Sequence, residues 1–246
     1  MSPVSAVFFD VDFTLIHPGP AFQGSGYFEF CARHGVEVAA EAFERAVAAA
    51  SPLLDATPGV YDPEIFVRYT SRIIEGMGGS GDGVERAARD IYDQWAGCHH
   101  FEMYAEVPDA LRAVRSRGVS IGLISNTQRC LATFADHFDL RGLFDVTLSS
   151  YDHGYMKPHP SIFEAALAAV GSAPAEAVMV GDSLAHDIAG AMAIGMRGVL
   201  VARAGRPAGA PVDVPVIQSL RELPDLLWPI HEAVLSRVEP SRVEPC

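Results

Sequence analysis

Two aspartates stand two residues apart at the end of an apolar run, Val7-Phe8-Phe9-Asp10-Val11-Asp12-Phe13-Thr14-Leu15. In extended backbone, residues i and i+2 point the same way, so Asp10 and Asp12 can face one site. Two carboxylates that close repel each other unless a cation joins them or one carries a proton. Either state supports chemistry, whereas a single aspartate here would read as a turn or helix-capping residue. Asp182 and Asp187 repeat the theme after Val180-Gly181. Four acids gathered at the ends of apolar runs point to a hard cation, and oxygen ligands suit Mg²⁺. Lys157 sits beside Pro158 and Pro160, which stiffen the backbone, in a chain with very few lysines. Near four acids it would balance their charge and grip an anion. Ser125-Asn126-Thr127 closes another apolar run; alone, it would pass for a common capping pattern.

These residues need elements to bring them together. Short, nearly continuous β-branched runs at 5–10, 119–125, 145–149, 177–182 and 198–202 suit strands covered on both faces. Helical periodicity is clear at 107–117, 160–170 and 184–194. The alternation predicts an α/β fold with a doubly wound parallel sheet, which gathers ligands at the carboxyl ends of its strands. Residues 17 to about 103 read as helices only, over 21–34, 40–50, 63–76 and 84–97, and predict an all-helical insert whose two crossings could act as hinges. The organisation expected is therefore a core of 1–16 and 104–235, an insert at 17–103, and a frayed tail at 236–246, where Ser-Arg-Val-Glu-Pro occurs twice. The stretch Gly76-Met77-Gly78-Gly79-Ser80-Gly81 formally matches G-x-G-x-x-G, but it follows a helix rather than a strand and reads as an interhelix linker.

Composition limits the partners. The 246 residues are 49% hydrophobic and 20% charged, enough for a substantial core. A net charge of −13 disfavours nucleic acid and anionic membranes, and no apolar run is long enough to span a bilayer. Cys31, Cys98, Cys130 and Cys246 show no metal-type spacing and read as reduced thiols of a cytoplasmic protein. His99-His100 lacks a matching Cys or His cluster, so no metal is assigned to it. His17 reads as a hydrogen-bonding residue between the two parts rather than a substrate contact, and Phe13 as a residue packed beneath the insert rather than one that shapes the floor of a pocket. Oligomeric state is not legible in the sequence.

Asp-x-Asp-x-Thr at 10–14, Ser125-Asn126, Lys157-Pro158, and Gly181-Asp182-Ser183 with Asp187 match, in order and approximate spacing, the four motifs of the haloacid dehalogenase-like (HAD) hydrolases. The resemblance runs from residue 5 to about 205 and follows the subfamily I pattern, in which the insert would be a helical C1 cap over a Rossmann-like core. It implies a Mg²⁺-dependent phosphatase acting on a small phosphorylated metabolite. Asp10 would be the nucleophile and Asp12 the acid and then the base. Asp10, the Asp12 backbone carbonyl and Asp182 would bind Mg²⁺. Thr14 and Ser125 would donate to phosphoryl oxygens, Asn126 would orient the site, Lys157 would neutralise charge, and Asp187 would hold metal-bound water or Lys157. The family often has Gly where this chain has Phe13, at a position that varies. Rival readings are a metal-independent 2-haloacid dehalogenase, whose branch lacks the second aspartate; a sugar phosphomutase; and a catalytically silent binding module, which would be expected to have lost Asp10 or Lys157.

Overall fold

The structure, a computed structural model, describes residues 3–55 and 59–229. The expected tail at 236–246 lies outside the described residues. The strands are β1 (Ala6–Phe9), β2 (Ile16–Pro18), β3 (Phe101–Met103), β4 (Ser120–Ser125), β5 (Val146–Ser149), β6 (Ala177–Gly181), β7 (Arg197–Val201) and β8 (Val216–Ile217). The helices are α1 (Gly24–Arg33), α2 (Phe43–Ala50), α3 (Pro52–Asp55), α4 (Pro63–Gly76), α5 (Gly83–Trp95), α6 (Val107–Arg115), α7 (Leu131–His137), α8 (Ser150–His153), α9 (Pro160–Val170), α10 (Gly190–Ala193) and α11 (Leu223–Leu227).

Six strands form one parallel sheet in the order β5-β4-β1-β6-β7-β8. The apolar runs suit this sheet because both of its faces are covered. Val7, Phe9, Ile121, Leu123, Val178 and Val180 join one core with Leu111 and Val114 of α6. Phe8, Ile124 and Met179 alternate to the other face and meet Ile162, Phe163 and Leu167 of α9. From β1 the chain passes first to β4 on one side and later to β6 on the other. That reversal opens a crevice at the carboxyl end of β1, where such sheets bind ligands. Asp10 follows β1, Ser125 ends β4 and Asp182 follows β6.

Between β2 and β3 the chain is largely helical, with α1, α2, α4 and α5 enclosing Tyr27, Phe30, Ile73, Ile74, Ala87 and Ile91. The expectation of helices alone from 17 to 103 is corrected at its borders. β2 and β3 pair antiparallel, with Ile16 opposite Met103 and Pro18 opposite Phe101, so the two crossings form a ribbon. Three-residue strands carry no readable periodicity, and their partners lie far apart in the chain. A second connection joins the helical segment to the loop after α8: Tyr61 N donates to Gly154 O at 3.0 Å and Met156 N to Gly59 O at 2.6 Å.

Two further expectations are refined. The stretch 184–194 is a π-helical turn over Leu184–Ala189 leading into α10, rather than one regular helix. The Gly76–Gly81 stretch joins α4 to α5, with Gly78 and Gly81 at φ of +100° and +85°, a turn that L side chains resist.

Candidate active site

The crevice holds two groups of side chains. In the first, the Asp10 carboxylate receives Lys157 Nζ on Oδ1 at 2.6 Å and Thr14 Oγ1 on Oδ2 at 3.2 Å. Lys157 also meets Asp187 Oδ1 at 2.6 Å and donates to the Ile124 carbonyl at 2.7 Å. Asn126 fixes the lysine's backbone from both sides: its Nδ2 donates to Lys157 O at 2.9 Å, and its Oδ1 accepts from Lys157 N at 2.7 Å. Asp187 Oδ2 accepts from the Ser183 backbone N–H at 3.0 Å, which turns this side chain back over the end of β6. Gly181 makes room for it, since a Cβ there would lie 2.2 Å from Asp187 Oδ2. Ser125 is buried at the last position of β4.

Asp12 belongs to the second group. Its Oδ1 accepts from Arg129 Nη1 at 2.7 Å and its Oδ2 from the Trp95 indole Nε1 at 3.2 Å. Arg129 Nη2 donates in turn to the Trp95 carbonyl at 2.9 Å. Arg129 is 1% exposed, and its guanidinium lies 4.2 Å from the Phe101 ring centroid.

Charge within the first group is unbalanced. Burial, reinforced by Asp187 and Asp12 and opposed by Lys157, raises the Asp10 pKa to about 7. Asp182 is exposed at the surface of the crevice, yet protein atoms crowd its carboxyl and Asp10 and Asp187 add negative charge, so its pKa lies well above the ordinary aspartate range. Burial works against a charged Lys157, but Asp10 and Asp187 outweigh it and hold the lysine above its ordinary value. Carboxylate oxygens of Asp10, Asp182 and Asp187 all lie within 4.8 Å of one another. Three hard oxygen donors at that spacing fit a divalent cation, which would favour their ionised forms. Among the described residues no other His, Cys, Asp or Glu cluster has this geometry, so His99 and His100 join none.

A cleft of about 540 Å³ opens beside Asp182, lined by Phe13, Tyr104, Arg203 and Gly205 among others. Phe13 is 46% exposed and holds φ of +65°, so the expectation that it packs beneath the insert is corrected in favour of the alternative, a residue that shapes the pocket. The tight turn from Phe13 to Ile16, closed by Phe13 N donating to Ile16 O, directs the ring outward. Arg203, just past β7, donates Nη1 to Glu106 Oε1 at 2.6 Å and Nη2 to the Thr14 carbonyl at 3.0 Å, bracing the loop that carries Thr14. His17 sits on β2 with its ring 4.8 Å from that of Tyr104 and Nε2 4.0 Å from Glu102 Oε2.

The structure brings Asp10, Thr14, Ser125, Asn126, Lys157, Asp182 and Asp187 to one crevice, as the sequence pattern predicts, with Asp12 beside them. Arg129, Trp95, Arg203 and Glu106 are not among the residues that the pattern marks. Arg203 was findable, because it follows the carboxyl end of a strand. Arg129 follows Ser125-Asn126 by three positions, but nothing local marks it as a partner of Asp12.

A family model described as a haloacid dehalogenase-like hydrolase matches residues 4–195. Over 115 residues the chain is 34% identical to haloacid dehalogenase-like hydrolase domain-containing protein 3 of Bos taurus, covering 47% of this chain and 46% of that protein. It is 33% identical over 147 residues to a phosphoserine phosphatase of Thermus thermophilus, covering 57% and 55%. The chain thus spans about half the length of the curated relatives it matches. Among solved structures, a HAD phosphatase from Thermococcus onnurineus aligns with a TM-score of 0.64 over 92% of this chain and 98% of that one, at 24% identity. A 2-haloacid dehalogenase from Pseudomonas syringae aligns with 0.59 over 91% and 98%, also at 24% identity. At such identities the likeness concerns the fold.

Proposed function

The chain belongs to the haloacid dehalogenase-like hydrolases, and on that premise we propose that it is a Mg²⁺-dependent phosphatase of a small phosphorylated metabolite. The observation that carries this reading is the meeting of Asp10, Asp182 and Asp187, the first and last of them paired with Lys157, with Asp12 beside them. A phosphate dianion needs positive charge to approach three carboxylates, and bound Mg²⁺, held by Asp10, Asp182 and the Asp12 carbonyl, would supply it. Asp187 supports the site through Lys157. The phosphoserine phosphatase relative supports a phosphorylated substrate. A 2-haloacid dehalogenase needs no metal, and its branch lacks the aspartate that stands here as Asp12.

In this reading an Asp10 oxygen attacks phosphorus, the bond to the leaving oxygen breaks, and an aspartyl-phosphate forms. Lys157 offsets the charge gathering on the nucleophile and the phosphoryl oxygens, while Thr14 and Ser125 donate hydrogen bonds to those oxygens. Asp12 gives a proton to the leaving oxygen. It then takes one from the water that attacks phosphorus, which releases phosphate and restores Asp10. Residues 17–103 act as a cap that excludes water, and 1–16 with 104–235 as the catalytic core. The free thiols of Cys31, Cys98 and Cys130 suit a cytoplasmic setting.

The test is hydrolysis of a panel of phosphate esters by the purified protein, with Mg²⁺ and with excess chelator. Turnover that stops on chelation is expected. Full activity in chelator, or metal-free release of halide from 2-haloacids, overturns the reading.

A further inference from the structure

We propose that Arg129 and Trp95 form a clasp that positions the Asp12 carboxylate, so that proton transfer depends on where the end of α5 sits. The proposal rests on the reading of Asp12 as acid and base.

Three separate parts of the chain meet in the clasp. Asp12 follows β1, Arg129 precedes α7, and Trp95 ends α5 in the helical segment. Arg129 bonds Asp12 Oδ1 with one nitrogen and the Trp95 carbonyl with another, while the Trp95 indole bonds Asp12 Oδ2. Guanidinium and indole N–H groups can only donate, so both oxygens of Asp12 are held as acceptors and the carboxylate plane is fixed. A planar fork can hold two acceptors in set directions, which a lysine cannot match. Trp95 is anchored in turn by rings, with its centroid 4.6 Å from that of Phe22 and 4.9 Å from that of Phe101. Phe101 also lies beneath the Arg129 guanidinium, so the clasp closes on the ribbon that joins the helical segment to the sheet.

The two bonds to Asp12 are unequal. The one from Arg129 is short and charge-assisted; the one from Trp95 is longer and comes from a neutral donor. A proton carrier must turn one oxygen toward the leaving group. Clasped at both oxygens, Asp12 is ionised; to act as acid it must take a proton from solvent on Oδ2, so Oδ2 is the oxygen to be released, by a shift of Trp95, while Arg129 keeps Oδ1 and serves as the pivot. A purely structural ion pair would need neither the reach to the Trp95 carbonyl nor the indole bond.

The experiment compares an alkyl phosphate, whose leaving alkoxide needs a proton, with p-nitrophenyl phosphate, whose leaving anion hardly does. Single-turnover rates of the first step are measured for wild type, Arg129→Gln, Arg129→Lys, Trp95→Phe and, as reference, Asp12→Ala, all in Mg²⁺. Arg129→Gln should slow the alkyl ester at least about tenfold, within the range of acid–base effects, with less than about threefold change on the aryl ester. Its KM on the alkyl ester should stay within about twofold of wild type, and Arg129→Lys should recover part of the loss. Trp95→Phe keeps a ring in place but removes the donor, and should change the alkyl-to-aryl ratio at least about threefold. If Arg129→Gln fails to fold, the Trp95→Phe ratio decides. Equal losses on both esters from the clasp variants, with a split from Asp12→Ala, overturn the clasp alone. Equal losses from Asp12→Ala overturn the proton role of Asp12, and the clasp with it.

Discussion

Asp10 and Asp12 are two residues apart, yet different parts of the molecule hold them. Every bond to the Asp10 carboxylate comes from the sheet and its loops: Lys157 after α8 and Thr14 in the turn beyond β1. Asp12 is held by Arg129 from the sheet side and Trp95 from the helical segment. In the proposed reaction the contrast separates two needs. The attacking oxygen benefits from a rigid, pre-paired site, whereas a proton carrier that serves first as acid and then as base benefits from a partner able to move. The difference predicts that changes around Asp10 abolish the chemistry whatever the leaving group, while changes around Asp12 depend on it.

The largest effect should come from the rigid side. Asp10→Asn should reduce turnover at least about a thousandfold on alkyl and aryl esters alike, with an unchanged circular dichroism spectrum, because an amide is a poor nucleophile. Retention of a hundredth of the rate on either ester would break the comparison at its first member. Lys157→Met should also lose activity, and it should lower stability as well. It leaves Asp10 and Asp187 facing each other without their shared cation, and breaking a buried pair costs about 3–5 kcal/mol. Denaturant unfolding would register this; an unchanged midpoint would mean that the pair adds nothing to the fold.

A subtler change sharpens the role of Asp187. In Gly181→Ala the new methyl would collide with the Asp187 carboxylate and push it off Lys157. Losing a group that orients the site should weaken apparent Mg²⁺ affinity about 10–100-fold while the protein stays folded. Titration of activity with Mg²⁺ checks this, and an unchanged half-saturation point would show that Asp187 tolerates the displacement.

The smallest effect lies at the brace beneath Thr14. Glu106→Gln takes the charged partner from Arg203 and should cost about 1–2 kcal/mol. Burial alone would raise the Glu106 pKa, but the Arg203 bonds prevail and lower it. A carboxyl with a depressed folded pKa contributes stability that is present above its unfolded value and is lost as pH falls through the folded value. The difference in unfolding free energy between wild type and Glu106→Gln should therefore shrink as pH falls below the ordinary glutamate range. A difference that stays constant or grows would contradict this account of the brace.

What could be read from sequence follows the same division. The strands ending at Asp10, Ser125 and Asp182, and the lysine before α9, are marked by local patterns: apolar runs that stop at polar residues, and prolines beside a rare lysine. The Asp10 side was legible for that reason. The Asp12 side depends on pairings across long stretches of chain, such as Arg129 with Asp12 and Trp95, or β2 with β3. A buried arginine reads in sequence like any surface arginine, because its burial is a tertiary fact. Phe13 misled for a similar reason: an aromatic residue after an apolar run suggests packing, and only the positive φ of the turn directs it outward. The π-helical turn at Leu184–Ala189 has the apolar content of a regular helix; it is the fold of Asp187 over Gly181 that departs from it.

The central claim is that Asp10 carries the phosphoryl group between the two steps. Asp12→Ala should slow the second step more than the first when p-nitrophenyl phosphate is the substrate, so the intermediate should accumulate. Acid quenching of that variant during turnover in Mg²⁺, followed by peptide mass spectrometry, tests the claim most directly. The account predicts a phosphoryl group on the peptide that contains Asp10, absent when Asp10→Asn is added to the same variant. Release of phosphate with every Asp10-containing peptide unmodified, or a phosphoryl group on another residue, would contradict it.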